Sequence, residues 1–383
     1  MSAYGQCPLW SPAVWVKHPW KTPRSRTLRL LRGYDPLFME LFRFAAVLFV
    51  MALMPWGRPG AQVLRSAGQS ATRSLRLAVV QMPSVDHDLD ANLRRATGLA
   101  EQAVTQGAQF ILFPELLATG SYMAADSWDS AEPSNGKSVQ WLKATSRRLH
   151  VWIATTFLEA SGTDFYDTFV LLAPTGEEAG RVRKQIPAGP EAYFFRGESG
   201  SHVIATSIGK IGVGICAENY YCFAASQFLN DSVDFVVMPH ASPDMSKGGG
   251  LPSPPGTHLA LWYARKLGVP IAMVNKVGPS HKPPPNEING VFPGLSAIVD
   301  SDATVLRSMD DKEGIGVATI TLDAGRKTHA LQVCTGIGIA ELAIGGAQGA
   351  KSVADEYERA RQSYENNLVR KVKARAISAS QLQ

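Results

Sequence analysis

Residues 77–115 read LAVVQMPSVDHDLDANLRRATGLAEQAVTQGAQFILFPE, which is the pattern of a strand, a helix and a second strand. Leu77–Gln81 is a short β-branched run, and Phe110–Phe113 is a second short apolar run, so both predict buried strands. Between them, apolar residues recur at helical spacing, and Asp90 is the expected N-cap. This order of elements is typical of an α/β domain.

The same alternation continues along the chain. Closely spaced strands in its middle favour mixed sheets over purely parallel ones. Helices are predicted at Trp141–Leu149 and around Leu259–Lys266, whereas two Pro- and Gly-rich segments, Ser242–Gly256 and Val277–Gly294, predict long surface loops near a site. The further predicted strands are Val151–Phe157, Phe169–Leu172, Val203–Thr206, Ile211–Ile215, Phe235–Met238, Ile271–Asn275, Ser296–Val299 and Val317–Thr321.

Composition and charge exclude several classes of protein. The 383 residues are 45% hydrophobic and 19% charged, which is enough apolar material for a packed core and argues against a disordered chain or a coiled coil. The net charge of +5 is unevenly distributed, because residues 1–76 contain eleven Lys and Arg but two acidic residues. The rest of the chain is mildly acidic, so we do not expect a nucleic-acid binder.

The chain divides into a basic leader (1–76), a main domain (77–330) and a C-terminal tail (331–383). The leader contains an uncharged run, Phe44–Trp56, which is short for a membrane span but suits the hydrophobic region of a signal peptide. A start at Met39 would give that signal a normal length. Three interpretations stay open: an overextended gene start before an export signal, a disordered or membrane-touching extension, and a helix packed on the domain.

The tail contains a charged helix with one apolar face. This helix either forms an oligomer contact or lies on its own domain, and the sequence does not decide between the two. The residues of that face are Val353, Tyr357, Ala360, Tyr364 and Leu368.

Several cofactor motifs are missing from the sequence. It has neither a GxxxxGK[ST] phosphate loop nor a GxGxxG dinucleotide fingerprint. It also has no HExxH pair, no cysteines at zinc spacing and no GxSxG nucleophile elbow. We therefore predict an activity that uses neither a metal ion nor a nucleotide cofactor.

Three reactive side chains follow predicted strands or chain breaks. Glu115 comes directly after FILFP, Lys184 lies before a Pro- and Gly-rich break, and Cys216 ends the strand IGVGI. Each alone has an ordinary interpretation, as a solvated acid, a surface charge or a small buried hydrophobe. Because sites form where strands end, together they supply a base, a cation and a nucleophile for acyl transfer through a thioester.

In this order the three segments resemble the nitrilase, or carbon–nitrogen hydrolase, superfamily. The matching stretches are FPELLATGSY, RVRKQIP and GKIGVGICAEN, whose reactive residues are 69 and 32 positions apart. The stretches YARKLGVPIAMVNKVG and GLSAIVDSDATVL extend the resemblance to about residues 77–325. The resemblance implies a four-layer α-β-β-α sandwich with mixed sheets, which commonly forms homo-oligomers.

The resemblance also implies a role for each matching residue. Cys216 would be the nucleophile, Glu115 the general base, and Lys184 the cation that stabilises the tetrahedral intermediate. The backbone N–H of Ala217 would be a second oxyanion donor. Glu191, in the segment EAYFFRG, would be the second glutamate, which orients the substrate or the lysine.

One departure from the family pattern concerns the substrate. Ala217 stands where nitrilases usually carry tryptophan, which favours a small-molecule amide over a nitrile. The expected function is therefore cofactor-independent hydrolysis of an amide, releasing ammonia or an amine, and the main alternative is a nitrilase. Two further alternatives are a membrane acyl transferase of the same superfamily and a catalytically silent scaffold. The loops around Tyr122, Glu191–Phe195 and Ser242–Gly256 are expected to line the pocket.

The remaining cysteines are interpreted as structural. Cys222 is expected to face the core of the helix after Cys216, Cys334 lies in the tail and Cys7 in the leader. A free nucleophilic thiol suits a reducing cytoplasm, so a cytoplasmic enzyme is predicted. The alternative is an exported or membrane-associated protein that uses residues 39–61.

Overall fold

The structure is a computed structural model that describes residues 72–120, 125–187, 189–244, 256–281, 288–336, 338–339, 342 and 346–380. The predictions for residues 1–71, for Tyr122 and for 245–255 lie outside this part of the chain. Within it, no helix is both long enough and apolar enough to cross a membrane.

The first sheet has a parallel centre with antiparallel strands on both sides. Its order is β15-β1-β2-β4-β5-β6, with β3 beside β4, and β1, β2 and β4 run parallel to one another. Its strands are β1 (Arg73–Gln81), β2 (Phe110–Leu112), β3 (Glu132–Pro133), β4 (Trp152–Ser161), β5 (Asp164–Leu172), β6 (Glu178–Arg183) and β15 (Gly314–Leu322).

The second sheet repeats this plan. Its order is β14-β13-β10-β9-β8-β7, and the central strands β8, β9 and β10 are parallel. Its strands are β7 (Val203–Thr206), β8 (Gly209–Val213), β9 (Phe235–Pro239), β10 (Ile271–Val274), β13 (Ala297–Val299) and β14 (Val305–Ser308). A separate hairpin pairs β11 (Val277–His281) with β12 (Ile288–Pro293).

Four of the six described helices cover the outer faces of the two sheets. The helices are α1 (Leu89–Thr105), α2 (Lys137–Leu149), α3 (Cys222–Asn230), α4 (Gly256–Leu267), α5 (Gly346–Asn366) and α6 (Leu368–Ala379). The first two pack on the first sheet, and α3 and α4 pack on the second.

Strand β1 shows how the sequence builds these layers. Leu77 and Val79 face the second sheet, whereas Ala78 and Val80 face α1 and α2, because successive side chains of a strand point to opposite faces. Both faces are buried, which explains why the central strands are continuous apolar runs rather than alternating ones. The result is the α-β-β-α sandwich that the resemblance implies.

Three details differ from the sequence predictions. Asp88, not Asp90, caps α1, and its carboxylate accepts a hydrogen bond from the Ala91 N–H at 2.9 Å. Strand β6 was not predicted from the sequence, because it is charged, as edge strands often are, and contains no apolar run. Most of Val277–Gly294 is a hairpin rather than an open loop, because its cross-strand pairing outweighs its Gly and Pro content.

The C-terminal helices lie on their own domain. Tyr364 of α5 is buried and accepts a hydrogen bond from the Phe165 N–H at 2.8 Å, and Arg370 of α6 is buried against Asp164. Leu368, which was expected on the same apolar face as Tyr364, begins the next helix, α6, and is 72% exposed. An oligomer contact through these helices stays a prediction.

Candidate active site

The strand ends of both sheets meet at one buried point. Glu115 follows β2 of the first sheet, and Cys216 follows β8 of the second. The next strand, β9, leads to His240 and Ser242, so three neighbouring strand ends contribute polar side chains. In α/β sheets the carboxyl ends of strands are where ligands commonly bind.

Lys184 joins two acidic side chains at this point. Its Nζ lies 2.6 Å from Glu115 Oε1 and 2.7 Å from Glu191 Oε2. Lys184 and Glu115 have no exposed surface, and Glu191 comes from a short 3-10 helix, Gly189–Tyr193, beside them. The structure therefore brings together Glu115, Lys184 and Glu191, which belong to three different segments of the chain.

Cys216 completes this cluster. Its sulfur and the carboxylate oxygens of Glu115 and Glu191 lie within 4.8 Å of one another. The residue begins a 3-10 turn, Cys216–Tyr220, and has a positive φ of 51°, which is rare for a residue with a side chain. Strained backbone of this kind is common at functional sites. Ala217 follows within the same turn.

Glu218 links the backbone next to Lys184 to the backbone next to Cys216 through hydrogen bonds. Its carboxylate accepts hydrogen bonds from the Ile215 N–H at 3.1 Å and from the Gln185 N–H. His202 lies 3.2 Å from the same carboxylate. Since Ile215 precedes Cys216 and Gln185 follows Lys184, this one buried side chain sets the distance between the two reactive residues.

A fourth carboxyl group, Asp167 on β5, lies next to the cluster. Its Oδ2 is 3.6 Å from Lys184 Nζ, and the side chain is fully buried. Among the described residues, neither of its oxygens receives a hydrogen bond. Burial and the charge of Glu115 raise the pKa of Asp167 well above its usual value, which favours the neutral form of this carboxyl group.

The other groups take opposite charge states. Burial would raise the pKa of Glu115, but the charge of Lys184 and hydrogen bonds lower it to about 2. Burial opposes the charge of Lys184, yet Glu115 and Glu191 raise its pKa well above the usual value. Burial and the charge of Glu115 raise the pKa of the Cys216 thiol. The resting cluster therefore contains an ionised base, an ammonium ion and a neutral thiol.

The sulfur has one further close neighbour, Ser242. Its Oγ lies 3.3 Å from Cys216 Sγ and 3.0 Å from His240 Nδ1. The segment between these two residues also touches the base, because the Ala241 N–H donates to Glu115 Oε2 at 2.8 Å.

The cluster has atoms of the kind that bind metal ions, but a cation is already among them. Glu115, Glu191 and Cys216 are close enough to be ligands of one ion. The Lys184 ammonium contacts both carboxylates at hydrogen-bond distance and balances their charge. This arrangement suits acid–base and nucleophilic chemistry, and the absence of a metal or other cofactor from the reaction stays a prediction.

Sequence reasoning missed Asp167 and His240, and it included Ser242 only as the first residue of the predicted pocket loop Ser242–Gly256. Asp167 interrupts the apolar run of β5, and a buried acid in such a run is a detectable signal. His240 and Ser242 follow the apolar strand β9 in the same way that Glu115 follows β2, so the strand-end rule would also have found them.

Comparison with known proteins agrees with this fold and shows the family. The profile of the family described as carbon–nitrogen hydrolase matches residues 76–330. An N-carbamoylputrescine amidase of Arabidopsis thaliana is 28% identical over 62% of this chain and 83% of its own. A nitrilase of Pyrococcus abyssi is 28% identical over 65% of this chain and 90% of its own.

A solved structure gives the same fold. The carbon–nitrogen hydrolase of Helicobacter pylori superposes with a TM-score of 0.58 at 19% identity, over 78% of this chain and 96% of that one. The chain belongs to the carbon–nitrogen hydrolase family of the nitrilase superfamily. It is an enzyme that hydrolyses carbon–nitrogen bonds of the amide or nitrile type.

Proposed function

We propose that the chain is a cysteine amidohydrolase that cleaves a small amide through a thioester. The observation that carries the proposal is the buried cluster in which Lys184 contacts Glu115 and Glu191, with the Cys216 sulfur less than 5 Å from both acids. This cluster contains a base, a cation and a nucleophile on rigid elements.

In the acylation step, Glu115 accepts the thiol proton of Cys216 while the sulfur bonds to the amide carbon. The electrons of the C=O bond move to oxygen, and Lys184 and the Ala217 N–H stabilise the resulting oxyanion. The C–N bond then breaks, and the leaving nitrogen takes the proton from Glu115. The products of this step are ammonia or an amine and an acyl thioester on Cys216.

In the deacylation step, water gives a proton to Glu115 as its oxygen attacks the thioester carbon. Lys184 again stabilises the oxyanion. The C–S bond breaks, the carboxylic acid leaves, and Cys216 sulfur recovers the proton from Glu115. One carboxylate thus acts as base and acid in both steps, which requires it to be ionised in the resting enzyme.

One consideration favours an amide over a nitrile, namely that Ala217 is a small residue directly after the nucleophile. An N-carbamoylputrescine amidase is among the relatives that match most of their own length, and it indicates which amides to try. N-carbamoyl amines are therefore the first compounds to test. Nitrile hydrolysis by the same residues is the second candidate, because a nitrilase of Pyrococcus abyssi matches equally well.

The test is ammonia release from a panel of N-carbamoyl amines, short aliphatic amides and matched nitriles. We expect release from a carbamoyl or amide compound that disappears in Cys216→Ala and in Glu115→Gln. Glu313→Gln is the matched control, since Glu313 is an ion-paired glutamate at the surface. Release that persists in Cys216→Ala would overturn the cysteine mechanism, and faster release from nitriles than from matched amides would favour the second candidate.

A further inference from the structure

Cys216 sulfur contacts a hydrogen-bonded chain that the thioester mechanism does not include. Ser242 Oγ lies 3.3 Å from the sulfur, His240 Nδ1 lies 3.0 Å from Ser242 Oγ, and Asn219 Nδ2 lies 3.0 Å from His240 Nε2. His240 and Asn219 have no exposed surface, so the contact between them forms inside the protein, and Ser242 is half-buried.

The direction of this chain follows from Asn219. Its Nδ2 lies 2.9 Å from the Gly214 carbonyl oxygen and 3.1 Å from the Cys216 carbonyl oxygen. Carbonyl oxygens only accept hydrogen bonds, so the amide nitrogen, not the amide oxygen, occupies this position. An amide nitrogen cannot accept a hydrogen bond, and His240 Nε2 beside it therefore carries no proton.

The proton of His240 is consequently on Nδ1. A neutral imidazole has one N–H, and burial lowers the pKa of His240 to about 4, which keeps the ring neutral at neutral pH. Nδ1–H donates to Ser242 Oγ, and the Ser242 hydroxyl is then oriented to donate to Cys216 sulfur.

The backbone of Ser242 is held on both sides by one side chain. The Ser242 N–H donates to Asn275 Oδ1 at 2.9 Å, and Asn275 Nδ2 donates to the Ser242 carbonyl oxygen at 3.0 Å. Asn275 follows directly after β10, so a strand of the second sheet fixes the hydroxyl in place.

We propose that Ser242 is a further catalytic residue, which donates a hydrogen bond to the thiolate of Cys216, and that His240 positions its hydroxyl. This inference rests on the proposed role of Cys216 as nucleophile. The charged groups that face the sulfur are Glu115, Glu191 and Lys184. Once Glu115 has taken the thiol proton, the thiolate and the Glu191 carboxylate share one ammonium, and Ser242 supplies the thiolate with a further donor.

The hydrogen bond helps both halves of the reaction. It stabilises the thiolate when Glu115 takes the proton, and it stabilises the same thiolate as the leaving group when the thioester is hydrolysed. No proton is transferred to or from Ser242. A neutral thioester sulfur accepts hydrogen bonds weakly, so the contact favours the thiolate over the acylated state.

The test measures the thiolate directly and needs no substrate. Alkylation of Cys216 by iodoacetamide, followed by mass spectrometry across a range of pH, gives the apparent pKa of this thiol in the full chain. We expect Ser242→Ala to raise that pKa and to slow alkylation at neutral pH about tenfold, as for the loss of one hydrogen bond to a charged group. An alkylation profile equal to that of the unmodified enzyme would overturn the proposal.

A double-variant cycle tests the direction of the chain. His240→Ala should also slow alkylation, but not when Ser242→Ala is already present. His240→Asn should restore the rate, because its amide can donate from the position of Nδ1. Additive effects of the two alanine variants would show that His240 acts independently of Ser242, and would overturn the proposal that His240 positions the Ser242 hydroxyl. If ammonia release persists in Cys216→Ala, the proposed function fails, whereas the alkylation result still decides whether Ser242 stabilises the thiolate.

Discussion

Lys184 Nζ lies 2.6 Å from Glu115 Oε1 although neither side chain has any exposed surface. An ion pair this deeply buried costs desolvation free energy on both sides, and the attraction of the two charges has to offset it. Each residue therefore depends on the other: the ammonium keeps the carboxylate ionised, and the carboxylate keeps the amine protonated. Removing one partner should therefore lower the stability of the fold as well as the catalytic rate, and removing both should affect the rate alone.

Lys184→Ala should abolish most of the turnover and also destabilise the fold. We expect a loss of about 10²–10³ in kcat from the missing oxyanion donor, and a loss of about 3–5 kcal/mol in the free energy of unfolding from the unpaired carboxylate. Adding Glu115→Gln to Lys184→Ala should recover stability without activity. Urea unfolding and kcat of the two variants check this, and near-normal kcat in Lys184→Ala would contradict the assigned role.

Asp167→Asn should leave the enzyme folded and active. Since the raised pKa favours the neutral form of Asp167, a neutral amide of the same shape can replace it, so kcat should stay within about tenfold of the unmodified value. Asp167→Ala leaves a cavity beside Lys184 and should lower kcat more. A large loss in Asp167→Asn with the fold intact would show that the carboxyl group acts in its ionised form.

The stability of Asp167→Asn relative to the unmodified chain should depend on pH. The pKa of Asp167 is raised in the folded protein, chiefly by burial and by the charge of Glu115. Its contribution to stability is therefore complete below the unfolded pKa of about 4 and is lost as pH rises toward the folded pKa. Unfolding measured from pH 4 to 7 should show Asp167→Asn gaining in relative stability. A constant difference would mean that Asp167 titrates normally.

The sequence indicated part of the site because two of its residues carry a local signal. Glu115 and Cys216 each follow a buried apolar strand, and their strand ends meet. Lys184 has a weaker local signal, the Pro- and Gly-rich break that follows it, because β6 is a charged edge strand whose Arg183 and Arg181 pair with Glu159. The resemblance to a family gave Lys184 its specific role, which the local pattern alone did not.

Other features depend on pairing between distant segments. The alternation of strands and helices predicted an α/β domain, and the family resemblance implied its layers, but neither showed that β15 returns to pair with β1. Ser242 and Cys216 belong to different strand ends, and only the parallel order of β8 and β9 puts them in contact. Sequence patterns describe each element, while such contacts are decided by which elements become neighbours.

Tyr221→Phe should weaken substrate binding without lowering the stability of the fold. Tyr221 is buried directly after the Cys216 turn, and among the described residues its hydroxyl has no hydrogen-bond partner. Burial, with the charge of Glu191, raises the pKa of Tyr221 to about 12, so the hydroxyl stays neutral near the cluster. We expect the variant to be as stable as the unmodified chain or more so, and KM to rise while kcat changes little.

The matched control is Tyr263→Phe. The Tyr263 hydroxyl is also buried, but it donates to the Asn219 carbonyl oxygen at 2.9 Å. This variant should lose about 1 kcal/mol of stability. Thermal unfolding and steady-state kinetics distinguish the two, and an unchanged KM in Tyr221→Phe would show that its hydroxyl does not bind the substrate.

The last prediction concerns Cys222 and Cys334, which form a disulfide between α3 and the C-terminal segment. The sequence had suggested only that Cys222 faces the core, which it also does. The bond closes a span of 112 residues, and in the chain-entropy description a loop of that length stabilises the fold by about 4–5 kcal/mol. Disulfides persist mainly in oxidising compartments, so detection of the bond in the purified protein would favour the exported alternative over the predicted cytoplasmic one.

Mass spectrometry of a non-reduced digest should find the Cys222–Cys334 peptide pair with Cys216 free. The double variant Cys222→Ser with Cys334→Ser should unfold at lower urea concentration than the unmodified chain. A reducing agent should lower the urea midpoint of the unmodified chain but not that of the double variant. Cys216→Ser is the control, and its stability should respond to the reducing agent as the unmodified chain does. Two free thiols at Cys222 and Cys334 in protein purified without a reducing agent would contradict the bond and remove its support for export.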